Sequence, residues 1–141
     1  MKKVILITFF SLCAFYAKSQ TPKRAPAEIS EVADDGLSST EKAKKDAREK
    51  LEAIRQRVLM GESMSALATL YSEDPGTAKT GGCYRDVTRG MFVPEFEEAA
   101  FKLKPGELSE VFETQYGFHF VQLIDRRGDV IDVRHILIKV K

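Results

Sequence analysis

Between Glu41 and Glu62 apolar residues recur every three or four positions. Ala43, Ala47, Leu51, Ile54 and Val58 fall on one side of a predicted helix, and lysine, arginine and glutamate occupy the other. The hydroxyl residues that end "ADDGLSST" can cap its start, and Gly61 marks its stop. The run "SMSALATLYS" predicts a short second helix, with Leu67 and Leu70 one turn apart. "EDPGTAKTGG" is turn chemistry throughout. A third helix starts at Pro94, whose missing N–H suits the first helical turn, and it carries Phe96, Ala99, Ala100 and Phe101. Alternation then takes over: "LSEVFET" and "GFHFVQLI" predict two strands joined by "QYG". Upstream, "AEISEV" is a weaker alternating run, consistent with a first strand. The order strand, helix, helix, loop, helix, strand, strand predicts an α+β domain with helices packed on a small antiparallel sheet.

The amino-terminal pattern is of another kind. Lys2 and Lys3 precede the apolar run "VILITFFSLCAFY", and "AKS" places small residues before Gln20. Residues 1–19 therefore read as a secretory signal peptide. A lipid anchor through Cys13 is the weaker alternative, because "FSLC" lacks a small residue before the cysteine. Residues 20–26 read as a flexible leader. Removing 1–19 leaves 19 basic and 21 acidic residues, a net charge of −2. That balance excludes a nucleic-acid partner, which needs a basic face. Cys83 is then the one remaining cysteine, so no internal disulfide is available; it reads as a small buried hydrophobe ahead of a free thiol.

Three blocks carry more than periodicity: "YSEDPGTAKTGG", "RGMFVPEFEEAAFKLKPGELS" and "TQYGFHFVQL". In this order and spacing they resemble the parvulin family of peptidyl-prolyl cis/trans isomerases, the PpiC-type rotamases, over about Glu41 to Asp125. The chain looks like a module of the SurA-like periplasmic chaperones that assist outer-membrane proteins. The resemblance implies a domain over 27–125, with about four antiparallel strands and three to four helices. It also implies periplasmic location and binding of unfolded, proline-containing segments without metal or cofactor. No preference for phosphorylated residues is expected, because "ADDGLSST" is acidic where phosphate-directed relatives are basic.

Residue by residue, the resemblance makes Asp74 the carboxylate beside the isomerising bond; the competing reading is a turn aspartate bonding its own backbone. Phe92 and Phe96 match walls of the proline pocket, or are simply core at the entry of the third helix. Tyr84 matches a third wall position, where leucine is usual. His119 matches a histidine of the last strand beneath the site, and Thr114 a hydroxyl at the pocket rim. Three departures stand out. The first strand lacks the histidine of "RHIL", with Glu31 at the matching position. Cys83 and Arg85 replace an aspartate and a glycine, so that Arg85 narrows the cleft or binds a peptide carbonyl. "RGMF" replaces "RGQM". These departures motivate an alternative, a catalytically weak peptide-binding module.

"VRHILIK", which holds His135, resembles the missing first strand. It is expected to open a second module, truncated here, after a turn that begins at residue 126. The alternative is a hairpin with the preceding strand. A three-residue turn Arg126-Arg127-Gly128 would set Val121 opposite Val133 and His119 opposite His135, with the like charges Asp125 and Asp129 also opposed.

Overall fold

The computed structural model describes residues 38–141. The expected signal peptide, Cys13, the leader and the "AEISEV" strand with Glu31 lie outside the described residues. Three α-helices and four strands follow: α1 Ser39–Leu59, α2 Met64–Tyr71, β1 Cys83–Val87, α3 Pro94–Phe101, β2 Phe112–Thr114, β3 Gly117–Arg127 and β4 Val130–Ile138. One 3-10 turn, Ala78–Thr80, precedes β1. The strands form a single antiparallel sheet in the order β1-β4-β3-β2. This is the expected α+β architecture.

The local signals act as their chemistry requires. The Ser38 hydroxyl accepts the Glu41 N–H at 3.3 Å to cap α1, and Ser63 caps α2 through the Ala66 N–H at 3.4 Å. Gly61, just past α1, takes a φ of +101°, which ends the helix. Pro94 occupies the first turn of α3. Ala47, Leu51 and Ile54 are the buried face of α1. Leu70 departs from its expected role: it is 70% exposed, and Leu67 and Ala68 make the buried contact of α2.

Alternate residues of the inner strands serve opposite faces of the sheet. Phe118, Phe120, Ile136 and Ile138 pack with Leu51, Ile54 and Leu67 of α1 and α2. Val121, Leu123, Ile131 and Val133 pack with Phe96, Ala100 and Phe101 of α3. Burial on both faces explains why β3 and β4 carry near-continuous apolar runs; each fully buried aliphatic or aromatic side chain contributes about 1.5–3 kcal/mol.

Two features differ from expectation. β1 falls on "CYRDV", a segment with no strand-like alternation; a register shift between Tyr84 and Val87, with Asp86 at φ +53°, interrupts its pattern. Residues 130–138 form β4 and pair with β3 along its length, but not in the register expected for a hairpin. The connection is the two-residue Gly128-Asp129, with Gly128 at φ +62°, so Arg127 opposes Val130. Ile124 is an extra residue on β3, and beyond it Leu123 opposes Val133 and Val121 opposes His135. His119 therefore faces Leu137, and the two histidines are diagonal neighbours. Asp125 opposes Asp132 instead of Asp129, and Arg127 lies between them, 2.7 Å from Asp132 and 3.7 Å from Asp125.

Candidate active site

The loop between α2 and β1 is fastened to β4 at both ends. At its start Leu137 donates its N–H to the Ser72 hydroxyl at 3.2 Å and accepts the Glu73 N–H at 2.8 Å. At its end Gly82 accepts the His135 N–H at 2.9 Å. Gly82 sits at φ +74°, and a Cβ there would lie 2.2 Å from the His135 carbonyl oxygen, so only glycine allows the approach. Asp74 lies between these two fastenings. Its Oδ1 accepts the Gly76 N–H at 3.2 Å, the turn role that competed with the functional one. Its Oδ2 gathers three donors: the Thr77 hydroxyl, His135 Nε2 at 2.9 Å and the Tyr84 hydroxyl at 3.1 Å. The turn bond of Asp74 is compatible with its place on the cleft lining.

These bonds set the charge. Burial alone would raise the Asp74 carboxyl, but the bonds from Thr77, His135 and the Gly76 amide outweigh it and hold the group at about 2. Asp74 is an anion at any physiological pH. Burial, with the Asp74 charge beside it, pushes the Tyr84 hydroxyl up to about 12, so Tyr84 remains a donor. Burial drives His135 below the ordinary histidine value despite the opposing pull of Asp74. His119 falls to about 4, from burial first and then from its histidine neighbour. Among the described residues neither Nδ1 has a hydrogen-bond partner, so neither ring is equipped to carry a second proton. One neutral histidine holds the fixed carboxylate, and a second stands behind the first.

Beside Asp74 opens a cleft of about 610 Å³, lined among others by Tyr84, Met91, Phe92, Phe96, Tyr116 and His135. Ring centroids of Tyr84 and Phe92, and of Phe92 and Phe96, are 4.8 Å apart. Phe96 stands edge-on to His135 at 5.5 Å and to His119 at 6.1 Å. Phe96 is thus both core and pocket wall. His119 is 5% exposed and lies behind the wall, stacked on Phe112 at 5.5 Å and on His135 at 5.8 Å. Thr114 is buried with it, sharing a 2.8 Å hydrogen bond with His119 Nε2, and is absent from the cleft lining.

The other candidates divide. His135 enters the site. Arg85 is exposed and, like Cys83, does not line the cleft; Cys83 opposes Arg134, so its side chain projects from the sheet face opposite Tyr84. Several participants were not singled out from the sequence. Thr77 is three residues beyond Asp74 in "DPGT", a spacing that could have pointed to it. Glu97 Oε1 accepts the Gly90 and Phe92 N–H groups at 2.6 and 3.0 Å and so fixes the segment that carries Met91 and Phe92. Met91 and Tyr116, at 56% and 58% exposure, flank the cleft with apolar surface.

An aromatic slot with a buried carboxylate at its edge can hold a small ring by contact and act on a neighbouring polar bond by charge. The family model for the rotamase, or PPIC-type PPIASE, domain matches residues 24–125. The match stops short of β4, so His135 lies beyond it. The chaperone SurA of Nitrosococcus oceani is 44% identical over 87 residues, which are 62% of this chain and 20% of that protein. The foldase protein PrsA 4 of Bacillus cereus is 42% identical over 91 residues, 64% of this chain and 30% of that protein. The chain thus covers less than a third of the length of these relatives. A crystal structure of the peptidylprolyl isomerase PrsA from Bacillus cereus superimposes with a TM-score of 0.55 at 40% identity, over 57% of this chain and 31% of that one. The chain belongs to the PpiC-type peptidyl-prolyl isomerase, or rotamase, family.

Proposed function

We propose that this domain is a peptidyl-prolyl cis/trans isomerase that acts on extended, proline-containing segments of unfolded polypeptides outside the cytoplasm. The observation that carries the reading is the ionised Asp74 carboxylate, held by three donors at the edge of a slot walled by Tyr84, Phe92 and Phe96. An X–Pro amide resists rotation because nitrogen shares its lone pair with the carbonyl, placing partial negative charge on oxygen and a barrier of about 18–20 kcal/mol on the twist. In the twisted state that charge separation is lost. A fixed negative charge near the carbonyl oxygen therefore raises the planar form relative to the twisted one, and stabilises the transition state differentially. Phe92, Phe96 and Tyr84 hold the proline ring. Thr77 and His135 hold Asp74, while His119 and Thr114 support His135 and Phe96 from behind. No proton needs to move.

The histidine that β4 brings to Asp74 favours this reading over a catalytically weak peptide-binding module. The names of the relatives, a chaperone and foldases, support a folding-assisting role, and the signal-peptide pattern supports export. Outer-membrane proteins are the client class that the SurA likeness suggests.

Exchange spectroscopy on a proline tetrapeptide tests the proposal. Isomerisation should exceed the spontaneous rate, and Asp74→Asn should lower it by about tenfold or more, with peptide affinity changed by less than about threefold. A wild-type rate equal to the spontaneous one, with unfolded polypeptide still bound, would leave the binding-module reading in its place.

A further inference from the structure

Tyr84 stands where the family pattern usually has leucine, so this chain adds a hydroxyl to a wall that is otherwise apolar. The hydroxyl is not left free: it donates to Asp74 Oδ2 at 3.1 Å. The ring is held on two sides, 4.8 Å from Phe92 and 5.1 Å from His135. The backbone is held as well, because Tyr84 pairs with Val133 of β4, two residues after the Gly82 contact. Tyr84 thus joins the ring-binding wall to the carboxylate.

Counting bonds gives the hydroxyl a task. A carboxylate oxygen offers about two lone-pair sites, and three donors already converge on Oδ2. Oδ2 is saturated. Oδ1, with the single Gly76 N–H at 3.2 Å, keeps acceptor capacity and charge to spare. With leucine at position 84, Oδ2 would keep Thr77 and His135, themselves 3.0 Å apart, and Oδ1 the Gly76 N–H, all from the loop and β4; no donor would reach the carboxylate from β1. The third donor, arriving from β1, ties the carboxylate to the wall that carries the ring.

We propose that Tyr84 is a positioning residue of the isomerisation site: its hydroxyl locks the orientation of the Asp74 carboxylate so that Oδ1 keeps a fixed place at the edge of the slot that its own ring walls. The inference rests on the isomerase reading and extends it to a residue in which this chain departs from its family. The titratable or charged groups around Asp74 are Tyr84 of β1, His135 and Lys139 at and just beyond β4, and His119 of β3 behind His135.

The test compares Tyr84→Phe, Asp74→Asn and the double variant by cis/trans exchange, peptide titration and carbon-detected NMR of the Asp74 carboxyl. Tyr84→Phe should slow exchange about three- to tenfold, the worth of one hydrogen bond, while peptide Kd changes by less than about twofold. The Asp74 titration midpoint should move up, and in the Asp74→Asn background the same change should slow exchange no further. An unchanged rate with an unchanged midpoint overturns the proposal. So does an equal loss in both backgrounds, which assigns the hydroxyl a structural role only, or a loss confined to Kd, which assigns it to substrate contact. Independently of whether Tyr84→Phe folds, Asp74→Asn should lower the titration midpoint of Tyr84 itself; no movement there overturns the link. If the wild-type domain shows no isomerisation, the isomerase reading falls, and the two midpoints still decide whether Tyr84 holds the carboxylate.

Discussion

Phe92 and Phe96 are four residues apart and touch the same cleft, yet the fold depends on them unequally. Phe96 is 3% exposed and meets both histidines and Phe112. Phe92 is half-buried and held by Tyr84, Phe96 and the Glu97 carboxylate at its N–H. Phe96→Ala should therefore cost about 3–5 kcal/mol of stability, and Phe92→Ala about 1 kcal/mol. Phe92→Ala should instead weaken proline-peptide binding about tenfold. Urea unfolding and peptide titration of the two variants separate the effects. At this scale the sequence was informative where a residue's role is local. The turn role of Asp74 in "SEDPG" and Pro94 at a helix start are legible from neighbours. Glu97 acts on residues five and seven positions away and Thr77 on Asp74 three away and on His135 58 away, through side chains with many other possible partners. His135 reaches Asp74 across 61 positions, a distance that spacing alone does not resolve.

At the scale of elements, the helices were legible because their apolar stripes, caps and stops agree with one another. The strands were less so. β1 lacks alternation, and its identity comes from β4, the one strand it pairs with among the described residues. The hairpin register turned on two small matters, a turn of two residues instead of three and one extra residue at Ile124. Either displaces every pairing beyond it. Pairing is enforced from outside the hairpin by Gly82, whose missing side chain lets β4 close on the loop. Gly82→Ala puts a methyl group against backbone and places alanine at positive φ. It should destabilise the domain by about 2–4 kcal/mol. It should also increase amide exchange at His135 before it does so at Leu51, as hydrogen exchange can show, because His135 N–H loses its acceptor while the α1 core is untouched.

For the molecule as a whole, the buried histidines make stability depend on pH, with a definite sign. His119 titrates at about 4 in the fold and near 6.5 when unfolded. Between those values the unfolded chain binds more protons, so stability is full above pH 6.5 and declines as pH falls toward 4. His119 accounts for about 3 kcal/mol of that decline, and His135 shifts in the same direction. Asp74, at about 2 against an ordinary 3.8, adds its own loss only below pH 4. Urea midpoints at pH 7, 5.5 and 4.5 should fall in that order. A constant midpoint would mean that the folded protein accommodates charged histidines.

The place of β4 in the sheet also governs the order of assembly. It is an inner strand, yet it follows β1, β2 and β3 in the chain. Synthesis from the amino terminus therefore delivers Asp74, Thr77 and Tyr84 before the strand that carries His135. Until β4 inserts, β1 has no neighbouring strand among the described residues, and its distant pairing is a late, slow step of the kind that closing long loops imposes. The carboxylate is caged in the same event that closes the sheet. A partly emerged chain has neither a complete core nor an assembled Asp74 network, so maturation of the site is timed by the fold's own completion.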